Sequence, residues 1–325
     1  MPTWNVFVTR RIPDAGLDLL RNAGVNFEVN PEDRVLTHEE LLAGVSGRDG
    51  VLCLLTDIVD ESVLEAARGA RVFANYAVGY NNVDVAAATK RGIMVTNTPG
   101  VLTETTADMA WALIMATARR IVEGDRLVRA GEFHGWGPMM LLGMDVFGST
   151  LGIVGAGRIG CAVARRAQGF GMKVLYTDSA PNPEISSLNA IRVDLDELLK
   201  ASDIVTLHVP LLEETRHLIG KREFALMKNG AILVNTSRGP VVDERALVEA
   251  LKSGSIAGAG LDVYEDEPQL APGLADCKNA VLTPHTASAT IATRNKMAVM
   301  AATNLLAALR GDTPPNLVNP EVLTG

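Results

Sequence analysis

Short apolar runs alternate along most of this chain with stretches in which apolar residues recur every three or four positions. The runs at 5–9, 50–55, 71–76 and 93–96 read as strands, and so do those at 150–154, 174–176, 204–208, 231–235, 260–263 and 281–283. Most are apolar over nearly their whole length, which suits parallel strands covered on both faces. Helical spacing appears at 13–23, where Leu17, Leu19 and Leu20 share a face, and again at 245–253 and 291–310. A single long helix is predicted over 103–130, with Thr103 and Glu104 at its start. Its middle, 109–115, is apolar nearly all round, as in a helix buried between domains or subunits. Residues 131–148 are glycine-rich and irregular and hold Trp136, Pro138, Met139 and Met140.

Alternation of this kind predicts an α/β protein of two Rossmann-like domains, each a doubly wound parallel sheet with right-handed crossovers. The helix at 291–310 is expected to return to the first domain and make it discontinuous. The expected division is 1–100 plus 287–325, a flavodoxin-like substrate domain, against 101–286, a dinucleotide-binding domain.

Hydrophobic residues make up 47% of the 325, enough for a sizeable core in both domains. The formal net charge of −8, without lysine-rich runs, argues against nucleic acid and an anionic membrane surface as partners. Three scattered cysteines, Cys53, Cys161 and Cys277, form no CxxC pair, and no ligand cluster for a metal is evident. This usage points to a reducing, cytoplasmic setting. The stretch 1–5 lacks the basic-then-apolar pattern of a signal peptide, and the longest apolar stretch, 109–118, is too short to span a bilayer.

The sharpest motif is Gly155-Ala156-Gly157-Arg158-Ile159-Gly160, between a predicted strand and a predicted helix. Here Gly155 permits the tight turn, Gly157 lets the backbone approach a pyrophosphate, and Gly160 lets helix and strand pack closely. Asp178, at the end of the next strand, stands about 20 residues on, where a carboxylate accepts from the ribose hydroxyls of an adenosine. That carboxylate would repel a 2′-phosphate, and Ser179 follows it rather than an arginine, so NAD is expected over NADP.

Ligands of open α/β sheets lie at the carboxyl ends of strands. Four places there carry polar residues: 76–82, 235–239, 262–268 and 283–285. Taken singly, Arg238 reads equally as a surface charge, Glu267 as part of a solvated acidic loop, and His285 as a satisfied loop histidine. Together they supply hydride transfer to a carbonyl beside a carboxylate. The histidine exchanges the carbonyl proton, the carboxylate holds the ring and favours its charged form, and the arginine grips an α-keto acid with two parallel hydrogen bonds.

These motifs, with Asn75-Tyr76-Ala77-Val78-Gly79-Tyr80-Asn81-Asn82-Val83-Asp84, Thr96-Asn97-Thr98-Pro99 and Leu282-Thr283-Pro284-His285, make the chain similar along nearly its whole length to the D-isomer-specific 2-hydroxyacid dehydrogenases. Within them it most resembles the glyoxylate/hydroxypyruvate reductase branch. The resemblance implies NADH-dependent reduction of a small 2-keto acid to the D-2-hydroxy acid, with Arg238 binding substrate, His285 as acid/base and Glu267 as its partner. It implies that the amides of Val78 and Gly79 cradle the substrate carboxylate, and that Leu54 bears on pocket size with Leu55, Met139 and Met140. It places Thr106, the glycine turn, Val209, Pro210, Thr215, Thr236, Ser237, Asp262 and Ala287 in contact with the cofactor, together with Arg238 and His285. It further implies two domains that close around the substrate, and a homodimer built on the helix after Thr103.

Departures from the pattern are Thr286-Ala287-Ser288 after the histidine, and Met139-Met140 where many relatives carry a tryptophan. Phosphoglycerate and phosphite oxidation are alternative readings within the family. The 325 residues leave no room for a regulatory domain, and Ala77-Val78 offers no lysine for phosphite. A NAD-sensing binding protein of the corepressor type is the alternative outside catalysis.

Overall fold

The computed structural model describes residues 4–324. Met1, Pro2 and Thr3, part of the amino-terminal stretch considered above, lie outside the described residues, as does Gly325. The chain forms two compact units, one of residues up to Leu102 together with those from Ala289 onward, the other Thr103–Ser288. No helix among the described residues is long and apolar enough to cross a membrane.

The first unit runs β1 (Asn5–Val8), α1 (Asp14–Asn22), β2 (Asn26–Val29), α2 (His38–Val45), β3 (Gly50–Cys53), α3 (Glu61–Ala66), β4 (Val72–Asn75), α4 (Val85–Lys90) and β5 (Met94–Thr96). Its sheet is wholly parallel in the order β2-β1-β3-β4-β5, the flavodoxin-like winding. Period-two alternation splits the strands between two cores. Val6 and Val8 of β1 pack with Leu17, Leu20, Met297, Leu305 and Leu309. Phe7 faces the other way, with Val51, Val63, Leu64 and Phe73. Each fully buried side chain of this size contributes about 1.5–3 kcal/mol, so both faces of the sheet must be covered.

The second unit opens with α5 (Thr103–Ala118) and α6 (Ile121–Arg129), then β6 (Thr150–Val154), α7 (Arg158–Ala167), β7 (Lys173–Thr177), α8 (Pro183–Ser186), β8 (Ile191–Arg192), α9 (Leu195–Ala201), β9 (Ile204–Leu207), α10 (Lys221–Leu226), β10 (Ile232–Asn235), α11 (Glu244–Ser253), β11 (Gly258–Leu261) and β12 (Ala280–Leu282). The seven-stranded parallel sheet has the order β12-β11-β10-β9-β6-β7-β8, a Rossmann winding with one added strand. One face packs on α5 and α7 through Ala110, Trp111, Ile114 and Val163, the other on α9 to α11 through Leu198, Phe224, Leu247 and Leu251. A last helix, α12 (Ile291–Arg310), belongs to the first unit and packs on α1 and β4.

Three readings of the sequence need correction. The predicted helix over 103–130 is two helices, broken at Arg120, whose φ of 53° is left-handed. No glycine or proline marks the break. The Arg120 guanidinium donates to both oxygens of Glu123 at 2.9 and 2.7 Å, across the first turn of α6. The strand read at 260–263 lies two residues earlier. Its glycines weaken the apolar signal, yet a Cβ on Gly260 would stand 2.9 Å from Leu113 Cβ of α5. The edge strands β2 and β8, four and two residues long, carry no apolar run by which the sequence could show them.

Candidate active site

Each sheet has a switch point where its winding reverses, between β1 and β3 in the first unit and between β6 and β9 in the second. The crevice outside such a point is where α/β sheets bind ligands. In the second unit the glycine turn lies there. A Cβ on Gly155 (φ 95°) would come within 2.7–2.8 Å of the main chain of His208 and Val209, just past β9. One on Gly160 would stand 2.2 Å from the Gly155 carbonyl, while one on Gly157 would meet nothing within 4 Å. Gly157 is the N-cap of α7, so no side chain caps the first N–H groups of this ten-residue helix, and space lies open beside it. That space suits a pyrophosphate: the helix dipole and unsatisfied donors both favour an anion. Two buried polar atoms without partners among the described residues sit at the ends of neighbouring strands, His208 Nδ1 after β9 and Thr236 Oγ1 after β10. Burial pushes the His208 pKa down to about 3, so its ring is neutral. These features fit a dinucleotide.

Asp178 closes β7. Its Oδ2 accepts from Ala156 N–H at 2.7 Å, which ties the acid to the glycine turn. The sequence pointed to no arginine beside it, but the fold supplies one. Parallel pairing sets Tyr176 against Arg192, and Arg192 donates to the Asp178 carbonyl at 2.9 Å. Of the other expected cofactor contacts, Arg158 is exposed and Ile159 half-buried at the start of α7, and Thr106 is buried in α5. Val209 and Pro210 follow β9. The Thr215 hydroxyl donates to the Pro210 carbonyl at 2.7 Å and accepts from Leu212 N–H at 2.8 Å, so it holds that loop in shape.

The three candidate catalytic residues all follow strands of the second sheet. Asn235, last in β10 and buried, accepts from Ser237 N–H at 3.0 Å and donates to the Arg238 carbonyl at 2.9 Å. This fixes the turn that presents Arg238. Burial lowers the Arg238 pKa, and the charge of Glu267 works against that shift. Asp262, fully buried past β11, binds the His285 loop: Thr283 Oγ1, Thr286 N–H and Ala287 N–H donate to its carboxylate at 2.6, 2.8 and 2.7 Å. His285 itself is left-handed, with φ 53°. So Asp262 and Ala287, expected beside the cofactor, are bonded to each other and shape the loop that carries the histidine.

His285 Nδ1 lies 2.9 Å from Glu267 Oε2, and Tyr264 N–H donates to Glu267 Oε1 at 3.0 Å. Burial alone would raise the Glu267 pKa. The hydrogen bond and charge of His285, then the Tyr264 N–H and Arg238, outweigh it and hold the carboxyl below its usual range. Glu267 is therefore ionised at neutral pH. An ionised carboxylate at Nδ1 favours the tautomer protonated there, which leaves Nε2 outside that pairing.

In the first unit Leu54 follows β3 at the switch point, and Val78 and Gly79 follow β4. The Ala77 carbonyl accepts from Thr98 N–H at 2.8 Å, the Val78 carbonyl from Asn97 Nδ2 at 2.7 Å, and the Gly79 carbonyl from Asn75 Nδ2 at 3.0 Å. A trans peptide sets its N–H opposite its carbonyl. Each held carbonyl thus turns the following N–H, of Val78, Gly79 and Tyr80, away from its donor, and such amides suit an anion. Asn82 ties the Leu54 loop to the same framework, donating to the carbonyls of Leu54 and Asp57 at 3.1 and 3.0 Å. Asn75, Asn82 and Asn97 stood inside the motifs quoted above, but nothing in the sequence revealed that they act from beneath the loop.

Comparison with known proteins agrees with this geometry. Residues 111–287 match the D-isomer specific 2-hydroxyacid dehydrogenase, NAD binding domain. The chain is 55% identical over 324 residues to a glyoxylate reductase of Korarchaeum cryptofilum, covering 98% of this chain and 96% of the relative. It superposes on a glyoxylate reductase of Paecilomyes thermophila with a TM-score of 0.87 at 35% identity, covering 99% of each chain. It superposes on the NADPH-dependent glyoxylate/hydroxypyruvate reductase of Sinorhizobium meliloti, solved with NADP and malonate, with a TM-score of 0.86 at 32% identity, covering 99% of this chain and 98% of that one. The protein is a member of the D-isomer specific 2-hydroxyacid dehydrogenase family.

Proposed function

We propose that this enzyme reduces glyoxylate, hydroxypyruvate or a similarly small 2-keto acid to the D-2-hydroxy acid with NADH. The observation that carries the reading is the 2.9 Å contact between His285 Nδ1 and the ionised Glu267, with the charge of Arg238 acting on the same carboxylate. NADH, when bound, supplies the hydride that reaches the C2 carbonyl carbon. Protonated His285 gives its Nε2 proton to the carbonyl oxygen as negative charge develops there, and Glu267 stabilises the imidazolium. Arg238 binds the substrate carboxylate and polarises the carbonyl, and the amides of Val78 and Gly79 are donors suited to a carboxylate. Thr236, Ser237 and the glycine turn would hold the cofactor.

The working form is a homodimer in the cytoplasm. Free, buried cysteines are in keeping with a reducing compartment. On and after α6, Ile121, Val128, Phe133, Trp136, Met139 and Leu142 are all more than half exposed. So much apolar surface on neighbouring segments suits burial against a second copy. Light scattering is expected to give twice the chain mass, and a monomer would overturn that part. The activity is tested by NADH oxidation at 340 nm with glyoxylate, hydroxypyruvate, pyruvate and phenylpyruvate. Turnover of the first two is expected. No turnover of any would favour a binding protein instead.

A further inference from the structure

Glu244 is the first residue of α11 and is only 2% exposed, an unusual place for a carboxylate. Both of its oxygens are used. Oε1 accepts from Glu265 N–H at 2.7 Å and Oε2 from Ala271 N–H at 3.0 Å. Those two amides bracket the segment 265–271, and Glu267 lies between them. The Glu265 carboxylate turns back, accepting from Glu244 N–H at 3.4 Å through Oε2 and meeting His217 Nε2 at 2.5 Å through Oε1. Close by, Gly239 lies so near this segment that a Cβ on it would stand 1.8 Å from the Tyr264 carbonyl. One buried carboxylate therefore fastens both ends of the loop that offers Glu267 to His285, against the main chain next to Arg238.

We propose that Glu244 is a positioning residue for the acid/base pair, keeping the Glu267 carboxylate at His285 Nδ1 by clamping segment 265–271. This rests on the reading that His285 and Glu267 form that pair. Burying a carboxylate costs several kcal/mol unless strong donors compensate. Removing one acceptor leaves a part-buried main-chain N–H facing no partner, which loosens the loop rather than the core.

The test compares Glu244→Gln, Glu267→Gln and the double variant in the full-length enzyme, with NADH and glyoxylate. Glu244→Gln keeps the size but places an amide NH2 against a main-chain donor. It is expected to lower kcat about tenfold. NADH affinity should stay unchanged, and the pH above which the rate declines should move the same way as in Glu267→Gln. Added to Glu267→Gln, it is expected to cost no more than about twofold further, because both act on one pairing. Losses that multiply fully, or a lower kcat with an unmoved pH profile, would overturn the proposal. So would Asp266→Asn, an equal charge loss on the exposed side of the same loop, if it moved the profile as far. If Glu267→Gln alone keeps the wild-type rate and profile, the acid/base reading itself has failed. Should Glu244→Gln not fold, Glu244→Asp carries the same comparison. It keeps two acceptors on a shorter arm, and a smaller shift in the same direction is expected. No shift would count against the clamp.

Discussion

Glu267 is held from two sides, by His285 Nδ1 at Oε2 and by Tyr264 N–H at Oε1. The chain thereby spends both oxygens of one carboxylate on a fixed orientation. A lone surface ion pair is worth about 0–1 kcal/mol and would not hold an imidazole in place. The main-chain donor holds the second oxygen, and the charge of Arg238 helps keep the carboxyl ionised.

Replacing Glu267 by Gln is expected to lower kcat about 100-fold, within the range of general acid–base catalysis, with little change in NADH affinity. Because the folded-state pKa of Glu267 is depressed, its stabilising effect is complete above about pH 4.5, the ordinary carboxyl range. It is lost as pH falls through the folded value. Thermal melts of wild type and Glu267→Gln should therefore converge as pH drops below about 4.5. A constant gap down to pH 3 would contradict the pairing.

Asn97 grips the Val78 carbonyl and so aims the Gly79 amide. Asn97→Ala should raise KM for the keto acid about fivefold, the worth of roughly one hydrogen bond, with NADH affinity intact. Steady-state kinetics that show only a lower kcat would deny the amide a part in substrate binding.

Cofactor choice is expected to rest on two residues that touch, Asp178 and Arg192. Asp178→Ser removes the charge that repels a 2′-phosphate and leaves the arginine in place. NADPH use should rise at least tenfold relative to NADH, and most of that gain should vanish in the double variant with Arg192→Ala. Equal cofactor ratios in all three proteins would remove Asp178 from cofactor discrimination.

Much of this arrangement is legible in the residues themselves. Strands covered on both faces leave long apolar runs, so β3, β4, β9 and β10 were plain, and the polar residues just beyond them marked the candidate chemistry. What escaped was local or long-range in a way that periodicity does not record. The break falls at Arg120, which is neither glycine nor proline and whose guanidinium meets Glu123. Arg192 comes beside Asp178 only because a two-residue edge strand pairs with β7. The asparagines beneath the Val78 loop act through amides whose partners are set by packing, 4 and 19 residues away. Nothing in the sequence showed that the Asp262 carboxylate also accepts hydrogen bonds from Thr283, Thr286 and Ala287 and so holds the histidine loop.

The most direct test of the central claim is the rate of NADH oxidation with glyoxylate by His285→Gln, measured beside its NADH affinity by fluorescence titration. The expected result is a loss of at least about 100-fold in kcat with NADH bound as tightly as in the wild type. A His285→Gln enzyme that keeps the wild-type rate would contradict the assignment of His285 as the proton donor.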